Sequence, residues 1–213
     1  MEEGSIGTSD KQDNDDDGDE DDGDADPPPS RNPRVEYLGA LDGQGAMLTV
    51  RGRLTLPLDG ADAVYAVLSD YDRCPEVFSS TVVHARSERR GVPGEPGSSV
   101  TVVQGAKWRV LGFSGSFDVR LTVDEDPRAR TLVFKLVESA FLKGFEGRWA
   151  VRPRRRDPRG CVVEHVLAVE PVVALPRPIA AAASLLFTRQ IHSLLGDLRK
   201  EMERQRWHGG GGE

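Results

Sequence analysis

The sequence predicts an α+β domain in which a curved seven-stranded antiparallel sheet wraps one long C-terminal helix, with two short helices after the first strand. Three features predict it. Six strand-like runs lie between Thr81 and Pro171, and connections such as EDPRAR and RRRDPRG are short enough for hairpins. Ahead of them a period-2 segment passes into one of helical period. Behind them runs a single helical stripe about thirty residues long.

The domain is expected at residues 34–208, between a disordered acidic tail at 1–33 and a flexible glycine-rich end at 209–213. The first 30 positions hold 13 of the 35 acidic residues and one of the 28 basic ones, which leaves 27 basic against 22 acidic side chains in the remainder. The net charge of −7 therefore sums an acidic tail and a mildly basic body. Within the tail, DNDDDGDEDDGD (Asp13 to Asp24) nearly matches EF-hand spacing, with Asp13, Asp15 and Asp17 at ligand positions and Gly18 at the turn. Such a loop is held open by a helix on each side. Here GSIGTSDKQ precedes it with one large apolar residue, and ADPPPSRNP follows with three consecutive prolines, so neither flank supplies a helix. The run reads as a solvated acidic tail.

In GAMLTVRGRLTL, Ala46, Leu48, Val50, Leu54 and Leu56 share one face, the alternation of a half-buried strand. Asp59 stands where it can cap the next segment, in which Ala63, Val64, Val67 and Leu68 recur at helical spacing. Pro75 suits the opening of a second short helix, PEVFSS. The later strands are Thr81–Glu88, Ser98–Ala106, Ser114–Asp124, Thr131–Ser139, Phe145–Pro153 and Cys161–Pro171. The closing helix starts near LPRP and runs to about Trp207, with Phe187, Ile191, Leu194, Leu198 and Met202 forming its apolar stripe. Only the concave face of the sheet can receive that stripe.

Two cysteines, Cys74 and Cys161, provide neither a disulfide framework nor a metal quartet. No apolar run approaches the ~20 residues that cross a bilayer, and no secretory or transit pattern is visible at the start. A soluble intracellular chain, monomeric, is the expectation.

The order of elements, with YAVLSDYDRCPEVF, FEGRWAV and LPRPIAAAASLLFTRQIHSLLGDLRKEMERQ, resembles the START-like (SRPBCC) superfamily of polyketide cyclases, coenzyme Q-binding proteins and lipid-transport proteins. The resemblance covers about Val35 to Trp207 and rests on a chain-long pattern, without a catalytic motif. It implies a helix-grip fold with an apolar cavity between sheet and helix. The Asp-Tyr after the first helix, the Phe-Glu-Gly-x-Trp strand and the Leu-Pro before the last helix look like plastid and bacterial relatives of the coenzyme Q-binding type. A plastid or other organelle is thus a compartment suggested by resemblance.

The cavity candidates are Phe117, Phe134, Leu136, Trp149, His165 and Leu167 on the strands, Gln104 beside His165, and Leu186, Phe187 and Ile191 on the helix. Taken singly these residues suit an ordinary core equally well. One helix, however, cannot cover the inner face of seven strands, so bulky side chains or a ligand must fill the difference. Antiparallel order then separates two ends. One gathers Arg86, Arg89, Arg90, Arg128, Arg130, Arg152, Arg154, Arg155, Arg156 and Arg159; the other joins Lys107, Trp108, Leu111, Phe113, Phe141, Leu142, Lys143 and Arg177. Aromatic tips beside cations suit a membrane interface, and in START-like proteins this is the end where the cavity opens. The tips would either touch membrane transiently there or fold over the cavity and cap it.

The expected function is to bind and shield or transfer a hydrophobic small molecule, a lipid, prenylquinone or related isoprenoid, with exchange at a membrane. No cofactor, metal or catalytic residue is expected; a bound lipid or quinone is the one non-protein group. His165, as a neutral imidazole, could give or take a hydrogen bond to it. The alternative is an interaction module acting on RNA, ribosome or protein through the arginine hairpins, which lack the aromatic interleaving of a nucleic-acid platform. A polyketide-cyclase-like enzyme comes third.

Overall fold

The computed structural model describes residues 32–39, 48–91, 99–110, 113–172 and 177–209, and the side chains among them except those at 108–110, 113, 177–182 and 209. The expectations for the acidic segment, its calcium-like spacing and the last four residues lie outside the described residues. The elements in chain order are β1 (Arg34–Gly39), β2 (Leu48–Leu56), α1 (Ala61–Leu68), a 3-10 turn (Tyr71–Arg73), α2 (Cys74–Val77), β3 (Val82–Arg90), β4 (Ser99–Val110), β5 (Phe113–Asp126), β6 (Thr131–Ser139), β7 (Leu142–Pro153), β8 (Cys161–Pro171) and α3 (Arg177–Gly209). The strands form one antiparallel sheet in the order β1-β2-β8-β7-β6-β5-β4-β3.

The sheet therefore has eight strands where the sequence predicted seven. The added strand, β1, pairs only with β2 and is broken by a register shift between Tyr37 and Gly39. As an edge strand it buries little: Val35 packs against the core while Tyr37 stays exposed, so its residues show no clean alternation. Strand lengths also differ at one end. The stretch expected as the loop KWRVLGF is mostly ladder, with Lys107 opposite Ser116 and Val110 opposite Phe113, and β7 starts at Leu142. Apolar residues there continue the pairing.

The long helix is seated through a missing side chain. A Cβ on Gly52 of β2 would stand 2.6 Å from Cγ2 of Ile191 and 2.7 Å from Cδ1 of Leu195, both side chains being buried. Glycine thus lets α3 press onto β2. The helix backbone runs closest to β2 and β1 on one flank and touches β4 on the other, so the sheet curls around it. Ile191, Leu195, Leu198 and Met202 are its buried stripe, joining Val50 and Leu54 in the core.

Charged groups fasten the C-terminal half of α3. Glu201 accepts hydrogen bonds from Arg204 (2.7 Å), Gln205 (2.8 Å) and Arg73 (3.2 Å), and the Arg204 bond chiefly holds its carboxyl down to about 2. The Ser80 amide donates to Asp197 at 3.1 Å. Asp59 does not cap α1, whose N-cap is Gly60; it is buried, 3.4 Å from Arg206, and burial raises its pKa.

Replacing Gly52 by Val should lower the denaturant midpoint by the equivalent of about 1–3 kcal/mol, since Ile191 and Leu195 must shift to admit the added side chain. Urea titration checks it; an unchanged midpoint would mean that α3 is not seated here.

Candidate ligand cavity

Because α3 lies over β2 and reaches the far flank chiefly at β4, the inner faces of the central strands are left partly uncovered. A cavity of about 210 Å³ results. At the end that carries the arginine hairpins it is closed by buried side chains, Leu68, Tyr71, Cys74, Val123 and Leu132. Tyr71 is fixed there by donating to Glu125 at 2.8 Å, and Arg89 holds the same carboxylate at 2.6 Å. At the other end the lining includes exposed Lys107 and half-buried Phe117, Leu186 and Gln190. The cavity is therefore blind at one end and meets the surface at the other.

Of the residues expected in the cavity, Phe117, Phe134, Trp149, His165, Leu167, Gln104, Leu186, Phe187 and Ile191 line it. Leu136 does not. It packs on the core beside a register shift at Arg120/Leu121, where pairing between β5 and β6 is interrupted. Gly147 of the FEGRWAV stretch contributes by absence: a Cβ there would stand 2.8 Å from Cζ of Phe134, so the glycine admits that ring to the wall. Tyr71, Cys74 and Phe78 were not foreseen as lining. Their three- and four-residue spacing was a readable helical face, but it spans the break between the 3-10 turn and α2.

The entrance residues behave differently from one another. Phe141 is 61% exposed, with its ring 5.6 Å from that of Phe117, whereas Leu142 is buried and lines the cavity. Lys143 pairs with Glu170 at 2.8 Å. Lys107 donates to the Ser79 carbonyl at 2.5 Å, and Gln190 donates to the Lys107 carbonyl at 2.9 Å, linking α3, β4 and the turn after α2 along one rim. Leu111 and the side chains of Trp108, Phe113 and Arg177 lie outside the described residues.

His165 is the buried polar group in the middle of the wall. Its ring stacks on Trp149 (centroids 3.8 Å apart, 21° between planes), with Phe134 at 5.9 Å. Nδ1 lies 3.2 Å from the Arg148 carbonyl oxygen. A carbonyl can only accept, so Nδ1 carries the hydrogen and Nε2 carries a lone pair. Burial strips the charged form of its hydration and pushes the pKa down to about 3, outweighing the bond to Arg148. A base so weak is poorly matched to proton abstraction at neutral pH. Burial likewise pushes the Cys74 and Cys161 thiols up to about 12, far from a reactive thiolate. Among the described residues, no group of three or more His, Cys, Asp or Glu side chains could hold a metal ion.

The family model for polyketide cyclase / dehydrase and lipid transport matches residues 47–203, most of the chain and every element that lines the cavity, β1 lying outside the match. The chain belongs to this family. Solved structures agree in fold. The Zhui aromatase/cyclase from Streptomyces sp. R1128 is 19% identical, with TM-score 0.62, covering 78% of this chain and 99% of that one. A START superfamily protein from Mycobacterium smegmatis is 17% identical (TM-score 0.57; 74% and 98% covered). A STAR-related lipid transfer protein from Xanthomonas axonopodis is 16% identical (TM-score 0.54; 82% and 95% covered). No curated protein sequence gives a significant match to the chain. No described helix is long and apolar enough to cross a membrane.

The depressed pKa of His165 fixes a sign. Above the unfolded-state value of about 6.5 the imidazole is neutral in both states and stability is flat; as pH falls from there toward about 3, only the unfolded chain takes the proton and stability declines. Unfolding free energies at about pH 7 and about pH 4.5 should differ less in His165→Phe than in the parent chain. Equal differences would mean that His165 titrates normally.

Proposed function

We propose that this family member binds a hydrophobic small molecule in the cavity, shields it from water and exchanges it at a membrane surface. The observation that carries the reading is the shape of the site: an apolar cavity blind at one end and bounded at the other by partly exposed side chains. A buried apolar cavity that is left unfilled forfeits dispersion contacts, which an apolar guest restores. A lipid, prenylquinone or related isoprenoid has the required chemistry.

The surface near the entrance supports membrane contact. Phe141 (61% exposed), Val172 (56%) and Leu185 (63%) are large apolar side chains in the open, and the Val172 amide donates to the Phe141 carbonyl at 3.0 Å. Lys143, two residues after Phe141 and paired with Glu170, and the exposed Lys107 on the cavity rim supply positive charge at this end. Apolar tips flanked by cations are what an anionic bilayer receives. At the opposite end Arg89, Arg130 and Arg159 are paired with Glu125, Asp62 and Asp157, as Lys143 is with Glu170 at the entrance; what separates the two ends is the exposed apolar side chains, which favour the carrier over a phosphate-binding surface. The weak basicity of His165 favours it over an acid–base enzyme.

Organic extraction of the purified full-length chain, followed by mass spectrometry, should recover an apolar compound in stoichiometric amount. Failing that, no binding across a lipid and quinone panel would refute the carrier reading. The double variant Phe141→Asp/Leu185→Asp should partition into anionic vesicles about tenfold less than the parent while still retaining cargo. Unchanged partitioning would remove the membrane from the proposal.

A further inference from the structure

The lining of the cavity contains several polar groups, and nearly all are occupied or wet. Tyr71 donates to Glu125, Thr81 to the Phe78 carbonyl at 3.3 Å and Lys107 to the Ser79 carbonyl. Gln104 and Gln190 are half-buried, so solvent reaches them, and an amide can satisfy either a donor or an acceptor. His165 differs on both counts. It is 3% exposed, and the Arg148 carbonyl fixes its tautomer, with the Trp149 ring stacked on its face holding the plane. The described residues give Nε2 no hydrogen-bond partner. His165 thus presents a buried ring nitrogen of fixed sign that makes no hydrogen bond within the described residues: an acceptor that can take a hydrogen and cannot offer one.

That sign discriminates between guests. A guest that fills the cavity excludes solvent from Nε2, and a buried acceptor left unserved costs more than an ordinary hydrogen bond contributes. A carbonyl or ether oxygen placed there would set lone pair against lone pair.

We infer that the cargo presents an O–H or N–H donor to Nε2 of His165, so that the site selects apolar alcohols, phenols and hydroquinones over the corresponding ethers, ketones and quinones. The inference rests on the carrier reading and narrows its ligand class. It also narrows the expectation from the sequence that the imidazole could give or take a hydrogen bond, since a histidine donating to a quinone oxygen would need the other tautomer. If the cargo is a prenylated quinone, the reduced form is held and the oxidised form released.

The test uses the full-length chain and three probes of similar shape, 2-naphthol, 2-methoxynaphthalene and 1,4-naphthoquinone, by calorimetry and by quenching of tryptophan fluorescence. The naphthol should bind about tenfold tighter than the other two. In His165→Phe the preference should collapse while the ether still binds, and in His165→Gln, whose amide can also donate, the quinone should gain. Should the phenylalanine variant fail to fold by circular dichroism, the glutamine variant decides. A long-range proton–nitrogen spectrum should show Nε2 unprotonated and shifting with naphthol but not with the ether. Equal affinities for all three probes, or a protonated Nε2, would overturn the inference and leave the carrier reading standing. No binding by any probe, together with an empty organic extract, would overturn both.

Discussion

The close approach of α3 to β2 at Gly52 governs the rest of the molecule. With Ile191 and Leu195 pressed where a side chain would otherwise stand, the helix axis is drawn toward the β1–β2 flank of the sheet. An antiparallel sheet of eight twisted strands then curls until β4 meets the helix from the other side. What lies between is wider than one helix. Phe134, Phe145 and Trp149 fill part of the space, their rings arranged in tilted or stacked contacts, and the remainder stays open. The cavity is thus a consequence of where the helix is pinned.

In the cavity wall Nε2 of His165 has no hydrogen-bond partner among the described residues, while on the outer face of the sheet charge is met by charge. On the outer face of the sheet Glu164 is held by Arg53 at 3.0 Å and Arg148 at 2.8 Å, and the two guanidiniums lower its pKa against the opposing effect of burial. Such partly exposed pairs contribute little to stability. Alternation along β8 places the carboxylate next to His165 in sequence on the opposite, outer face of the sheet. Burial keeps His165 neutral, and neutrality is what makes its lone pair available.

Much of this was legible in the sequence, for identifiable reasons. Strands β6 and β8 have the predicted limits because alternation such as Cys161, Val163, His165, Leu167 and Val169 is unbroken along a strand with one buried face. The helix was legible because its stripe continues for many turns. β1 was not, because an edge strand with one neighbour needs few apolar residues to form. The cavity wall on the strands could be named from parity, yet Leu136, which shares that parity and pairs with the lining residue Leu121, falls outside it where the pairing of β5 and β6 changes register. The tautomer of His165 was also beyond reach, since the atom that sets it is the backbone oxygen of Arg148 on the neighbouring strand.

The helix that closes the cavity is anchored unevenly along its length. From Ile191 onward it buries Ile191, Leu195, Leu198 and Met202 and ties Asp197, Glu201 and Arg206 to other elements. From Ala183 to Gln190 no residue is fully buried, Leu185 faces solvent, and the Gln190 bond to Lys107 fastens this part to the rim. Opening free energy is low where few apolar groups are buried, so the first described turns can fray on their own while the later ones unfold only with the domain. In the proposed carrier, cargo passage would draw on a local equilibrium at the entrance, and substitutions that harden the core would leave its rate alone. Residence time and thermal stability become separately adjustable properties of one helix.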